Sequence, residues 1–181
     1  SCAEVMTAYL DQIAALNPKV NAIVALQDRD KLMAQAREHD ALLAKGQSMG
    51  VLHGFPHAVK DLQPVKGIVS TSGSPILKDF VPAGDSLVVA RMRAAGVIYI
   101  GKTNVPEFGL GSHTYNPVYG ATKNPYDQTR SAGGSRRSTW EASNWSMEMF
   151  SNFIFGTFAR GPLSSPFGRL ITLAALRKLK Q

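Results

Sequence analysis

The sequence predicts an α/β fold, and three observations carry that prediction. A helical stretch, Ser86 to Ala95, is closed by Gly96 and runs into the continuous apolar segment Val97 to Ile100; Gly101-Lys102-Thr103-Asn104 then opens a polar loop. That order is how α/β proteins place chemistry at the carboxyl end of a buried strand. A second segment, Val51 to Asp61, ends in the same way, its apolar run giving out at Lys60-Asp61. Between Gly101 and Gly134 the chain is dense in Gly, Asn, Ser, Thr and Pro, 34 residues with only a short helix expected over Pro106 to Leu110. A loop of that length on an α/β scaffold is functional more often than connective.

Taken in order, the elements are these. Val5, Met6, Leu10, Ile13 and Leu16 recur at three- and four-residue steps and make Ala3 to Leu16 an amphipathic helix, which Asn17-Pro18 is expected to stop. Asn21 to Leu26 is either a short strand or a packed linker. Asp28 to Lys45 reads as a second helix with Asp28 as its cap and Gly46 as its stop; its many charges put it at the surface. Val51 to Asp61 gives Gly, Pro and a short apolar run with the look of a strand end entering a loop, Ser86 to Ala95 is the third helix (Leu87, Val88, Val89, Met92), and Val97 to Ile100 is a continuous apolar strand.

Composition bounds the function. The chain has 181 residues, 44% of them hydrophobic and 18% charged, which excludes an intrinsically disordered chain. One cysteine, Cys2, excludes an internal disulfide framework and a multi-cysteine metal site. No apolar run approaches 18 residues, and Ser1 to Leu10 lack the form of a signal peptide, so a cytoplasmic protein without a transmembrane segment is expected. The net charge of +7 is unevenly held. Residues 1 to 135 carry 13 basic and 11 acidic side chains, residues 136 to 181 carry 7 and 2, and 13 of the 16 glycines precede the same point. We therefore divide the chain into residues 1–135 and a basic tail, 136–181. The near-neutral first part gives no reason to expect nucleic acid as a partner.

Two features carry candidate chemistry. A lysine at a strand end is ordinarily a solvated surface group, but Phe55, Pro56, Ala58 and Val59 make the surroundings of Lys60 apolar. Desolvation lowers a lysine pKa and turns an inert ammonium into a base. Ser131-Ala132-Gly133-Gly134-Ser135 is either a flexible turn or a tight loop that presents Ser135 inward. The four histidines (His39, His53, His57, His113) show no metal-ligand spacing, and no glycine-rich phosphate motif is present, so neither a metal nor a cofactor is expected.

The order of the pieces resembles a known family. Gly54-Phe55-Pro56-His57-Ala58-Val59-Lys60-Asp61 is followed by Thr71-Ser72-Gly73-Ser74, then by Gly101-Lys102-Thr103-Asn104-Val105-Pro106-Glu107-Phe108. Gly111-Ser112-His113-Thr114-Tyr115-Asn116 comes next, then Tyr119 to Asp127, and Arg130-Ser131-Ala132-Gly133-Gly134-Ser135 closes the series. Six motifs in this order and spacing, over about residues 3 to 135, resemble the amino-terminal part of the amidase signature family. The resemblance implies a mixed sheet covered by helices, present here only in part, and hydrolysis of a small-molecule carboxylic amide by a Ser-Ser-Lys triad. By position Lys60 is similar to the family's lysine base and Ser135 to its bridging serine. Gly109, Leu110, Gly111 and Ser112 resemble the segment that lines the acyl pocket, Gly133 and Gly134 give the serine loop its room, and Asp61 and Lys102 order the surrounding loops. An A-type component of an aminoacyl-tRNA amidotransferase is the alternative within the family, although His113-Thr114-Tyr115 and Pro106 look more like the free-standing amidases. A homo-oligomer stays open.

The resemblance stops after Ser135. The family continues with a second serine, two glycines and an alanine-rich helix, and later carries its nucleophile in a segment of the type Asp-x-Gly-Gly-Ser-x-Arg. Here Arg136-Arg137-Ser138-Thr139-Trp140 follows, and nothing in residues 136 to 181 matches that segment. Little or no amidase activity is therefore expected of these 181 residues, since losing a triad nucleophile removes almost all catalysis. A change of pattern within one residue points to a truncated or frame-shifted product or a join, and a non-catalytic fragment is the reading from another class. The tail itself, with Met147, Met149, Phe150, Phe153, Phe155 and Phe158 followed by the basic Leu170 to Lys180, reads as a membrane-surface helix, a nucleic-acid arm or an unpaired sequence that packs poorly.

Overall fold

In the computed structural model, residues 1–133 are described. The order is α1 (Cys2–Val20), β1 (Ile23–Val24), α2 (Arg29–Ala44), β2 (Pro56–Lys60), α3 (Leu87–Ala94), β3 (Ile98–Thr103), β4 (Tyr115–Asn116) and β5 (Gly120–Ala121). The expected mixed sheet is present. Its order is β1-β3-β2, with β2 parallel and β1 antiparallel to the central β3. The β2-to-β3 crossover runs through α3, as a parallel pair requires.

α1 starts on a capping box. The Ser1 hydroxyl accepts from Glu4 N–H, and the Glu4 carboxylate reaches back to the chain start. A second carboxylate, from Asp40 of α2, accepts from the Cys2 and Ala3 amides at 2.6 and 3.0 Å and joins the two helices at that end. The expected stop at Asn17-Pro18 is corrected: α1 continues to Val20 with Pro18 inside it. A proline so near the end removes only one intrahelical bond. The stop is instead set by Asn21, left-handed at φ 53°, whose N–H donates to Asn17 O at 2.7 Å. α2 begins on Asp28, which accepts from Lys31 N–H, and it buries only Leu32 and Ala36, in keeping with its charged sequence.

The second correction concerns β3, which was expected to end at Ile100 and instead runs through Gly101, Lys102 and Thr103, with all six residues buried. Polar residues continue the strand because each has a partner on a neighbouring element. Gly101 is required by proximity: a Cβ there would lie 3.0 Å from Leu26 Cα and 3.1 Å from the carbonyls of Val24 and Ala25. β1 could not lie alongside a larger residue. Beneath the sheet Val59, Val65, Ile68, Val89, Val97 and Tyr99 form one apolar cluster. Tyr99 donates its hydroxyl to Val89 O at 3.1 Å, and the Arg93 guanidinium, paired with Asp85 at 2.7 Å, lies 5.0 Å from the Tyr99 ring. Among the described residues, no helix is long and apolar enough to cross a membrane.

Candidate active site

The parallel register places Lys60 opposite Thr103, so the carboxyl ends of β2 and β3 lie together. Three loops gather there. The first, Asp61 to Gln63, leaves β2. The second, Thr71 to Ser74, is tied to it: the Asp61 carboxylate accepts from Thr71 N–H at 3.1 and 3.2 Å and from the Thr71 hydroxyl at 2.7 Å. The Thr71 hydroxyl oxygen in turn accepts from Gly73 N–H at 2.9 Å. The third is the turn at Glu107–Gly109. Phe108 N–H donates to Ser72 O at 2.7 Å, and Gly109 lies so close to Leu62 that a Cβ would meet Leu62 Cδ1 at 2.8 Å. Phe108 takes φ 50° and Gly109 φ 74° to make this contact.

The Lys60 amine, half-buried at the end of β2, forms no hydrogen bond or ion pair with any described residue, while the Lys60 carbonyl accepts from Gln63 N–H at 2.9 Å. Burial therefore acts on its ammonium without compensation and holds its pKa below the ordinary lysine value. Lys102 is the opposite case. It is fully buried, its ammonium donates to Gln63 O at 2.5 Å, and it lies 3.7 Å from Asp61, itself fully buried. At that length the contact with Asp61 is charge attraction rather than a hydrogen bond. Burial pushes Asp61 up and Lys102 down, and each charge, with the Thr71 bonds on the acid, works against that displacement. Of the two lysines at these strand ends, Lys102 faces a carboxylate and a carbonyl, and the Lys60 amine has no partner among the described residues.

A second buried network holds the long loop. Asn104 donates to Gly120 O and Thr122 Oγ1, both at 3.1 Å, while its own oxygen accepts from Asn116 at 2.6 Å. Asn116 accepts from the amides of Val118 and Tyr119 at 2.9 and 2.7 Å, and Thr122 donates to Asn21 O at 2.7 Å, which ties the loop to the end of α1. The segment expected to be one long loop is thus β3, a turn and the β4–β5 ribbon, satisfied by asparagine side chains.

Of the residues expected at the site, Gly109 packs on Leu62, two residues past Lys60 in the loop that leaves β2, whereas Leu110 (81% exposed), Gly111 and Ser112 continue along the surface. Gly133 is extended and bridges to His113. Gly134, Ser135 and the whole of 136–181 lie outside the described residues. Residue order does not mark Thr71, Asn104 and Asn116 as network members. Their signal is small polar residues between apolar ones, which is also the signal of any turn. Among the described residues, no group of three or more His, Cys, Asp or Glu is placed to hold a metal ion.

Comparison with known proteins finds similar sequences and similar folds. The family model described as Amidase matches residues 4–136. The A-type component of the glutamyl-tRNA(Gln) amidotransferase of Acidothermus cellulolyticus is 44% identical over 135 residues, and that of Azoarcus sp. is 45% identical over the same length. The match covers 75% of this chain and 26% and 27% of those relatives, so the chain spans about a quarter of their length. Among solved structures, the native peptide amidase of Stenotrophomonas maltophilia superposes with a TM-score of 0.68 at 30% identity, over 79% of this chain and 29% of that one. A 6-aminohexanoate cyclic dimer hydrolase with its substrate gives 0.62 at 33% identity, over 75% and 27%.

Proposed function

Because this chain belongs to the Amidase family, we propose that it carries the base half of an amide-hydrolysing centre, with Lys60 as base and Ser135 as the bridging hydroxyl. The observation that supports this is the unpaired, half-buried amine of Lys60 at the joined carboxyl ends of β2 and β3. In the proposed reaction neutral Lys60 accepts a proton through the Ser135 hydroxyl from a second serine, whose oxygen adds to the carbonyl of a small-molecule amide. The C–N bond breaks, the amine leaves with that proton, and water releases the acyl group from the serine. Gly109 to Ser112 would flank the acyl portion. No cofactor enters this scheme.

Residues 136–181 contain no segment of the nucleophile type, so the 181 residues supply the base and the relay but not the attacking serine. We accordingly place the hydrolytic activity of the chain itself at little or none. A second reading is favoured by the curated relatives: those at 42–45% identity include A-type components of glutamyl-tRNA(Gln) amidotransferases, so this chain would be part of such a component.

A fluorophosphonate probe tests the catalytic reading, since covalent labelling requires an activated serine. Labelling that disappears in Ser135→Ala and Lys60→Ala would show that the centre works in this chain, against our expectation. To test Lys60 separately, the lysines are acylated competitively at a series of pH values. Lys60 is expected to react at a pH where the exposed lysines are protected by protonation, and a Lys60 profile that coincides with theirs removes it as the base. Activity that needs ATP and a second protein component would decide for the second reading.

A further inference from the structure

We infer that His113 is a positioning residue whose imidazole holds the Ser131–Gly133 strand that leads into Ser135. Ser131 Oγ and His113 Nδ1 share a hydrogen bond of 3.2 Å, the ring tautomer deciding which of them donates. The main chain around this bond is already paired. His113 and Gly133 form an antiparallel bridge, as do Lys123 and Ser131. Thr114 N–H donates to Ala132 O at 2.8 Å, and Ala132 N–H donates to Thr122 O at 2.7 Å. Residues 131–133 therefore pair with residues 113–114 on one side and 122–123 on the other, where the chain continues past the paired end of the β4–β5 ribbon, and the His113 side chain adds a contact to Ser131 there.

The ring also explains why residue 133 is glycine. Gly133 does not take the positive φ that favours glycine, so backbone angle is not the reason. A Cβ at this position would stand 2.6 Å from His113 Nδ1, 3.1 Å from Cε1 and 3.0 Å from Ser112 O. Contacts under 3 Å are not tolerated, so a larger residue must either shift the strand or swing the ring away, and the second breaks the bond to Ser131. His113 directly follows Ser112, so a single side chain links the Gly109–Ser112 segment to the strand entering the serine loop. The consequence for catalysis rests on the proposed role of Ser135, but the clamp itself is read without any turnover.

Amide hydrogen exchange in the full chain tests it, at Thr114 and Ala132, in wild type, His113→Ala, His113→Asn, Gly133→Ala and the double variant Gly133→Ala/His113→Ala. One net side-chain hydrogen bond corresponds to roughly five-fold faster local exchange in His113→Ala. His113→Asn is expected to stay near wild type, because its Oδ1 stands where Nδ1 did. Gly133→Ala is expected to exchange faster, and removing the ring in the double variant is expected to restore part of the protection by making room for the methyl. Wild-type exchange in His113→Ala, loss in His113→Asn equal to that in His113→Ala, or additive losses in the double variant would each overturn the assignment. So would equal acceleration in β3, which marks a global loss of stability. Competitive acylation of Lys60 in the same samples keeps the two readings apart: a protection pattern as expected with a Lys60 profile that coincides with those of the exposed lysines retires the catalytic role and leaves the clamp standing.

Discussion

Lys102→Met tests whether the buried pair Asp61–Lys102 is what joins the ends of β2 and β3. Both residues are fully buried, 3.7 Å apart. The substitution keeps most of the side-chain volume but removes the cation facing Asp61 and the donor to Gln63 O. Asp61 is then a buried carboxylate held by Thr71 and the Gly73 backbone without a facing cation. Removing one partner of a buried pair costs about 3–5 kcal/mol. For a folded unit of this size that lowers Tm by about 10–20 °C, a large part of the ~5–15 kcal/mol that holds a domain folded. The sign of the pH dependence is fixed too. Burial already raises the Asp61 pKa, with Lys102 among the groups opposing the shift, so the variant raises it further. A carboxyl whose folded pKa lies above its unfolded value contributes stability at low pH that is lost as pH rises through the folded pKa. The gap between variant and wild type should therefore narrow on acidification from neutral pH. In Asp61→Asn/Lys102→Met the lone charge is gone and Thr71 keeps an acceptor, so the double variant should be no worse than Lys102→Met, with a coupling of at least ~2 kcal/mol. Urea unfolding followed by circular dichroism reads all of this. A loss under ~1.5 kcal/mol for Lys102→Met, or additivity in the double variant, would refute the argument.

Three other perturbations separate function from architecture. Lys60→Met should leave Tm unchanged within about 2 °C or raise it, because it removes a desolvated amine with no partner among the described residues. Its advantage should shrink as pH rises through the lowered Lys60 pKa, where the wild-type amine becomes neutral in the folded state; a clear fall in Tm would make Lys60 structural. Asn116→Ala removes donors to Asn104 and Val105 O and the acceptor of two amides, and should cost about 2–4 kcal/mol in chemical denaturation, with exchange rising first at Val118 and Tyr119. Gly101→Val should cost about 1–3 kcal/mol and expose the amides of β1 selectively, since its methyls would enter the space of Val24, Ala25 and Leu26.

Much of the fold was legible because its signals are local. Asp28 caps α2 and Gly46 follows it as expected, at φ 72°. The helix-glycine-strand order over residues 86 to 100 reappears as α3, Gly96 and β3. The two boundary corrections share a cause, since each depended on a partner outside the segment read. Pro18 failed to end α1 because the terminating bond comes from Asn21, and β3 outran its apolar residues because Gln63 and Asp61, 39 and 41 positions away, satisfy Lys102.

The candidate site divides along the same line. By itself the sequence determined the α/β class, the family resemblance over its first 135 residues, and Lys60 as a lysine with apolar neighbours, because motif order, capping and hydrophobic runs are properties of adjacent residues. The resemblance assigned Lys60 and Lys102 different roles, but only the tertiary structure supplied the physical ground for the difference. Each follows an apolar run near the carboxyl end of its strand, yet Lys102 faces a carboxylate and a carbonyl and the Lys60 amine faces no described partner. Whether a lysine is a base or a structural cation depends on which charges stand beside it after folding, and that is a matter of distance in space, which residue order does not carry.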